Sequence, residues 1–181
     1  MKIYIGTDHA GLAQKEKIIE YLRENGYEVV DKGAHEYDEE DDYPDFAIPV
    51  AREVSKNPQN SLGIILGGSG QGEAIVANRF SHVRAAVFYG NAYSLTNNVS
   101  NLHFTREHND ANVLCLGSRF ITDEEAVQAV QTWINTSFSN GERHKRRIIK
   151  YLIFRRMSLY VSSLIKRETR IMIINSTKSK K

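Results

Sequence analysis

The sequence predicts an α/β protein: a five-stranded parallel sheet with helices on both faces. Two observations carry that expectation. Short apolar runs alternate with helix-period segments from Lys2 to about Asn135, and such alternation calls for parallel strands joined by crossover helices. The segments after the first, third and fifth strands are also polar or glycine-bearing, as suits ligand loops at the carboxyl edge of an open sheet. They are Thr7-Asp8-His9-Ala10-Gly11, the Gly67 to Glu73 loop, and Gly117-Ser118-Arg119.

The elements follow in order. Lys2 to Gly6 is a short apolar strand. Leu12 to Asn25 has helical periodicity through Leu12, Ile18, Ile19 and Leu22, and Asn25-Gly26 is a fitting stop. Tyr27 to Val30 is the second strand, and Lys32 to Tyr43 a polar acidic loop. Pro44 opens a helix over Asp45 to Ser55, since proline suits a first turn. Leu62 to Leu66 is the third strand, and Gly72 to Phe80 a helix. Arg84 to Phe88 is the fourth strand; Ala92 to Thr105 is Asn-rich and ambiguous. Val113 to Gly117 is the fifth strand. Thr122 and Glu125 form a capping-box pattern for a helix to about Asn135, and a last amphipathic helix starts near Asn140 or Gly141.

Composition narrows the class. At 181 residues the chain suffices for one domain with a proper core. No apolar run approaches the ~20 residues of a membrane span. The run Met1 to Gly6 is too short for a signal peptide, and Cys115 is the only cysteine, so a cytoplasmic protein without an intrachain disulfide is expected. The net charge of +2 hides an asymmetry: residues 1–141 carry 11 Lys+Arg against 20 Asp+Glu, and residues 142–181 carry 13 against 2. A basic end of this kind suits nucleic acid, a membrane surface, a phosphate, or an acidic partner subunit. The tail from about Ile153 fits no clear element, and Ser176 to Lys181 is expected to be disordered.

The stretch Gly67-Gly68-Ser69-Gly70-Gln71-Gly72-Glu73 joins a strand to a helix, where free backbone N–H groups attract an anion. It is not a Walker A loop, because Glu73 and Ala74 stand where Lys and a hydroxyl belong. It is not a dinucleotide fingerprint, because Glu73 stands at the third glycine. A carboxylate there is out of place for a phosphate cradle and in place for proton transfer.

Taken singly, the remaining motifs also read as ordinary structure. Asp8-His9 can orient an imidazole or bind sugar hydroxyls, or be an N-cap with an exposed His. Arg106-Glu107-His108-Asn109-Asp110 offers a proton-transfer histidine, or a solvated turn. In Arg143-His144-Lys145-Arg146-Arg147, Arg143 and Arg147 share a helix face and can clamp one phosphate, or only meet solvent. No aromatic platform interleaves with these arginines, which disfavours single-stranded nucleic acid. Cys115 lies among apolar neighbours and reads as a core thiol. No metal site is expected: the histidines are not paired and the acidic run Glu36 to Asp42 lacks the glycine of a calcium loop.

In combination the motifs are specific. Asp8-His9-Ala10-Gly11, Asp41-Asp42-Tyr43-Pro44, Gly67 to Glu73 with Ala77-Asn78-Arg79, Arg106 to Asn109, Gly117-Ser118-Arg119 and Arg143 to Arg147 occur in this order. Over residues 1–152 the chain resembles the type B ribose-5-phosphate isomerases, a family that includes galactose-6-phosphate and allose-6-phosphate isomerases. The resemblance implies a Rossmann-like three-layer fold and a homodimer with active sites at the subunit interface. It implies aldose–ketose isomerisation of ribose 5-phosphate, in the pentose phosphate pathway, with no metal or organic cofactor. Residues 153–181 are then a basic extension, helical in part.

The resemblance also implies roles. Many members carry a cysteine base after the third strand; here Gly67 holds that position and Ser69 that of a threonine. The other branch carries a glutamate base where this chain has Glu73. Glu73 is therefore expected to move the proton, with N–H groups of Ser69, Gly70, Gln71 and Gly72 stabilising the enediolate. His108, aided by Asp8, is expected to open the sugar ring. His9 and Asn109 would bind the sugar or its phosphate end, and Arg119, Arg143 and Arg147 the phosphate. The alternatives are a six-carbon aldose phosphate as substrate, or a non-catalytic nucleic-acid-binding module acting through the basic tail.

Overall fold

A computed structural model describes residues 1–92 and 99–154. Five strands, β1 (Lys2–Thr7), β2 (Glu28–Asp31), β3 (Ser61–Gly67), β4 (Ala85–Phe88) and β5 (Val113–Gly117), form one sheet in the order β2-β1-β3-β5-β4. Every neighbouring pair is parallel. The helices are α1 (Leu12–Glu24), α2 (Tyr43–Lys56), α3 (Gln71–Ala77), α4 (Asn101–Glu107) and α5 (Asp123–Asn135), with a 3-10 turn, His9–Gly11, before α1. This is the three-layer α/β sandwich expected.

The central strands β3 and β5 are buried along their whole length, as parallel strands covered on both faces must be. Successive side chains leave a strand on opposite faces, so each central strand feeds two cores. Ile64, Leu66, Leu114 and Leu116 pack with Ile18 and Leu22 of α1 and with Ala126, Val130 and Trp133 of α5. Ile65, Val113 and Cys115 pack with Val50 and Val54 of α2 and with Ala74 and Ala77 of α3. Thus β1 leads to a helix on one face, and its neighbour β3 leads to a helix on the other. Their carboxyl ends diverge and leave a crevice, the usual ligand position in open α/β sheets.

Local signals read from the sequence set several boundaries. Gly26, with φ of 78°, ends α1 in the left-handed region. Pro44 sits in the first turn of α2. Thr122 and Glu125 form a reciprocal capping box at α5. One expectation needs correction: α3 ends at Ala77, short of Phe80. The Asn78 side chain turns to bond the backbone of Ala85 in both directions, at 3.0 and 2.9 Å, and so starts β4 instead of prolonging the helix. In the ambiguous segment, Ser100 caps α4 by accepting from Leu102 N–H; residues 93–98 lie outside the described residues.

The chain divides between Ser139 and Asn140 into two compact units. In the second, residues 142–154 are helical, which matches the expected start near Gly141. Arg143 and Arg147 lie one turn apart on it. The extension expected over 153–181 lies outside the described residues beyond Phe154, including the stretch expected to be disordered. Among the described residues, no helix is long and apolar enough to cross a membrane.

Candidate active site

The carboxyl ends of β1, β3 and β5 each release one segment into the crevice. Asp8 follows β1 and caps the 3-10 turn, accepting from Ala10 N–H at 3.1 Å. The loop after β3 is tied to the loop after β5 by Ser118 N–H to the Gly67 carbonyl, 2.8 Å, and by Arg119 N–H to the Gly68 carbonyl, 3.2 Å. Gly70, at φ of 73°, turns the chain into α3 through a conformation that a β-carbon disfavours. The result is a cleft of about 360 Å³ lined by Asp8, His9, Ala10, Tyr43, Gly68, Ser69, Gly72, Glu73, Arg119 and Phe120.

Glu73 is the third residue of α3 and only 4% exposed. It has room because Gly67 has no side chain: a β-carbon at Gly67 would overlap the Glu73 carboxylate. Burial pushes its carboxyl above the ordinary glutamate range; its backbone N–H opposes this, and the charge of Asp8 adds to it. Asp8, 7% exposed, is likewise raised by burial, against the pull of Ala10 N–H, His9 and Arg119. The cleft therefore holds two carboxyls raised by burial, one of which, Asp8, also feels the Arg119 guanidinium. Desolvated carboxylates of this kind are stronger bases than those in water.

His9 is fixed from outside the loop that carries it. Its Nδ1 lies 2.7 Å from Asp41 Oδ1, and its backbone N–H donates to the same oxygen at 3.1 Å. The hydrogen bond to Asp41 is the main cause that raises the His9 pKa, with smaller upward pulls from the charges of Asp8 and Asp41; desolvation and Arg119 oppose it. Asp8, His9 and Asp41 bring possible ligand atoms within 4.8 Å of one another. Two ligands ~2.0–2.1 Å from a tetrahedral ion lie ~3.3 Å apart; the shorter His9–Asp41 contact is a hydrogen bond.

Of the residues expected in the site, Asp8, His9, Ser69, Gly72, Glu73 and Arg119 line this one cleft, and Gly70 and Gln71 belong to its loop. His108 and Asn109 do not line it. His108 ends α4, stacked on Phe104 at 4.7 Å between centroids, and the Asn109 amide donates to the Phe104 carbonyl at 3.2 Å. Arg143 and Arg147 belong to the second unit. Arg106, in the same motif as His108, is a structural residue: it donates to the carbonyls of Ala111, 2.5 Å, and Thr136, 3.2 Å, and its guanidinium lies over the Trp133 ring. Cys115 is a buried core thiol; burial, and then the charge of Glu73, push its pKa well up.

Tyr43, Phe120 and Asp41 join the site without a role expected from the sequence. Tyr43 reaches the cleft from α2, its ring so close to Gly72 that a β-carbon there would meet its Cζ at 2.7 Å. The signal for two of them is the Asp41-Asp42-Tyr43-Pro44 run: Asp41 meets His9 and Tyr43 lines the cleft where the proline-started helix begins.

Comparison with known proteins places the chain among relatives of one family. The family model described as Ribose/Galactose Isomerase matches residues 3–151. Ribose-5-phosphate isomerase B of Mycobacterium tuberculosis is 42% identical over 148 residues, covering 82% of this chain and 86% of that protein. A crystal structure of ribose-5-phosphate isomerase B from Mycoplasma genitalium with bound ribulose-5-phosphate superposes with a TM-score of 0.78 at 40% identity, covering 86% of this chain and 96% of that one. The Clostridium thermocellum ribose-5-phosphate isomerase B gives a TM-score of 0.76 at 39% identity, covering 87% and 99%. The chain belongs to the Ribose/Galactose Isomerase family.

Proposed function

We propose that this protein interconverts ribose 5-phosphate and ribulose 5-phosphate through an enediolate, as a cytoplasmic homodimer of the pentose phosphate pathway. The observation that carries the mechanism is the buried Glu73 carboxylate, seated in the space left by Gly67 and facing a cleft that also holds Asp8, His9 and Arg119. Relatives named for this activity at about 40% identity over most of both chains support the choice of substrate.

The reaction needs two steps from the protein. In the first, an acid delivers a proton to the ring oxygen while the C1 hydroxyl loses one, which gives the open-chain aldehyde. His108 with Asp8 is assigned to this step. In the second, Glu73 takes the proton from C2, and negative charge develops on O1. The N–H groups of Ser69 to Gly72 stabilise that charge as it forms. Glu73 returns its proton to C1, the O2 proton passes to O1, and the ketose results. One carboxylate serves both carbons because they are adjacent. No metal or organic cofactor is required.

The phosphate is assigned to Arg119, Arg143 and Arg147, with His9 and Asn109 at the same end. Charge-assisted contacts of this kind are worth ~1.5–3 kcal/mol each, and they orient the reacting carbons over Glu73. Because His108 and Asn109 do not line the cleft of their own chain, the reading requires the cleft to be completed by a partner subunit. Turnover of ribose 5-phosphate, allose 6-phosphate and galactose 6-phosphate by the purified protein tests the substrate. The five-carbon sugar is expected to have the highest kcat/KM, and preference for a six-carbon sugar would overturn the choice.

A further inference from the structure

We propose that Asp41 is a positioning residue for His9: its carboxylate fixes the imidazole so that Nε2–H is presented to the phosphate of the substrate. The inference rests on the assignment of His9 to the phosphate end. It adds a residue, 32 positions away, that governs how His9 can act.

Three features converge on this role. First, one oxygen of Asp41 accepts both from the His9 ring, at 2.7 Å, and from the His9 backbone N–H, at 3.1 Å. The two bonds fix the ring to its own backbone. Tyr37 closes another side, edge-on to the imidazole at 5.9 Å between centroids. Second, Asp41 precedes α2, which packs on one face of the sheet, while His9 precedes α1 on the other. The contact therefore ties together the two walls of the crevice. Third, the other carboxylate oxygen, Asp41 Oδ2, is buried without a hydrogen-bond partner among the described residues. A buried carboxylate is costly unless a cation meets it, and His9 is the group in place to do so.

The chemistry then selects one protonation state. With Nδ1–H given to Asp41, a neutral imidazole has only a lone pair at Nε2 and would repel a phosphate oxygen. The imidazolium has a second N–H to donate. A ring that serves Asp41 and a phosphate together must be cationic. The charged groups around His9 are Asp41, Asp8 and Arg119, and Asp41 is the main cause that favours the cation. Glu73 lines the same cleft.

Asp41→Asn isolates the effect, because the amide oxygen can still accept both bonds and only the charge is removed. The experiment measures kcat and KM for ribose 5-phosphate, and inhibition by inorganic phosphate, across pH in the wild type, Asp41→Asn, His9→Gln and the double variant. In Asp41→Asn, KM and the phosphate inhibition constant are expected to rise about tenfold near pH 7.5, the size of one lost charge-assisted contact, with kcat nearly unchanged. Phosphate binding should weaken at lower pH than in the wild type, since the imidazolium is lost earlier. The double variant should be no worse than His9→Gln. If His9→Gln weakens phosphate binding and Asp41→Asn does not, the positioning role fails while the phosphate role of His9 stands. If His9→Gln leaves phosphate binding intact, both fail. A loss in Asp41→Asn of stability and kcat alone, with the pH profile unmoved, would also overturn the proposal.

Discussion

Position 67 and the carboxylate of Glu73 compete for one volume: a β-carbon built on Gly67 would overlap the Glu73 carboxylate and lie 3.1 Å from its Cγ. The obstacle is the end of a flexible side chain, so a small residue at 67 can be fitted by moving Glu73. The fold would survive and the alignment of the base would not. Gly67→Ala is expected to lower kcat by about a hundredfold, the typical penalty of an ångström-scale displacement at a reacting centre, with only a small change in Tm. Steady-state kinetics and a melting curve on the same preparation check this.

The raised pKa of Glu73 has a signed consequence for stability. Its carboxyl binds a proton more tightly in the folded protein than in the unfolded chain. Its contribution is therefore fully present below the unfolded value of ~4.3 and is lost as pH rises through the folded value. Ionised Glu73 thus costs stability at neutral pH, and Glu73→Gln should raise Tm at pH 7–8. The gain should fade as pH falls toward 4. In the active enzyme the same displacement sets the acid limb: kcat/KM should fall as pH drops through a value above that of an ordinary glutamate. A pH–rate profile and pH-dependent melting of the two proteins check both parts.

If His108 serves the cleft of a partner subunit, two inactive variants should complement each other. A hybrid of Glu73→Gln and His108→Ala chains would contain one cleft with both defects and one with neither. Mixing them under conditions of subunit exchange should restore about a quarter of wild-type activity at equal amounts, by random pairing of half-active hybrids. Activity that stays at the sum of the two variants would mean that His108 acts in its own chain.

Arg106 sits beside His108 in the sequence, and its substitution should have a different outcome. Its guanidinium holds the Ala111 and Thr136 carbonyls and covers Trp133. Removing it orphans buried acceptors. Arg106→Ala is expected to destabilise the protein by about 2–4 kcal/mol, read from chemical denaturation.

The sheet was legible because its signals are local. The apolar run Val113 to Gly117 coincides with β5 residue for residue, and the Thr122–Glu125 box opens α5 where expected. The helix after β3 is shorter than its sequence suggests: Ala77-Asn78-Arg79 continues a helical pattern, but the Asn78 side chain bonds to Ala85, seven residues on. The site divides in the same way. Asp8, Glu73 and Arg119 stand in the segments that follow β1, β3 and β5, where chain order alone points to the carboxyl edge. The bond of Asp41 to His9 crosses the crevice, the Tyr43 ring over Gly72 brings α2 to α3, and the fit of Glu73 into the space at Gly67 depends on how α3 leaves its loop. No periodicity in the sequence encodes such meetings. Nor does the His108 motif tell that its side chain stands outside the cleft of its own chain.

The central claim is that Glu73 carries the proton between C2 and C1. Its most direct test is the exchange of the C2 hydrogen of ribose 5-phosphate with heavy water, followed by NMR, in Glu73→Gln. Exchange and isomerisation should fall together by at least ~10²–10⁴-fold, the usual share of a general base, while inorganic phosphate still inhibits residual turnover as in the wild type. Exchange at the wild-type rate in that variant would assign the proton to another group and contradict the account.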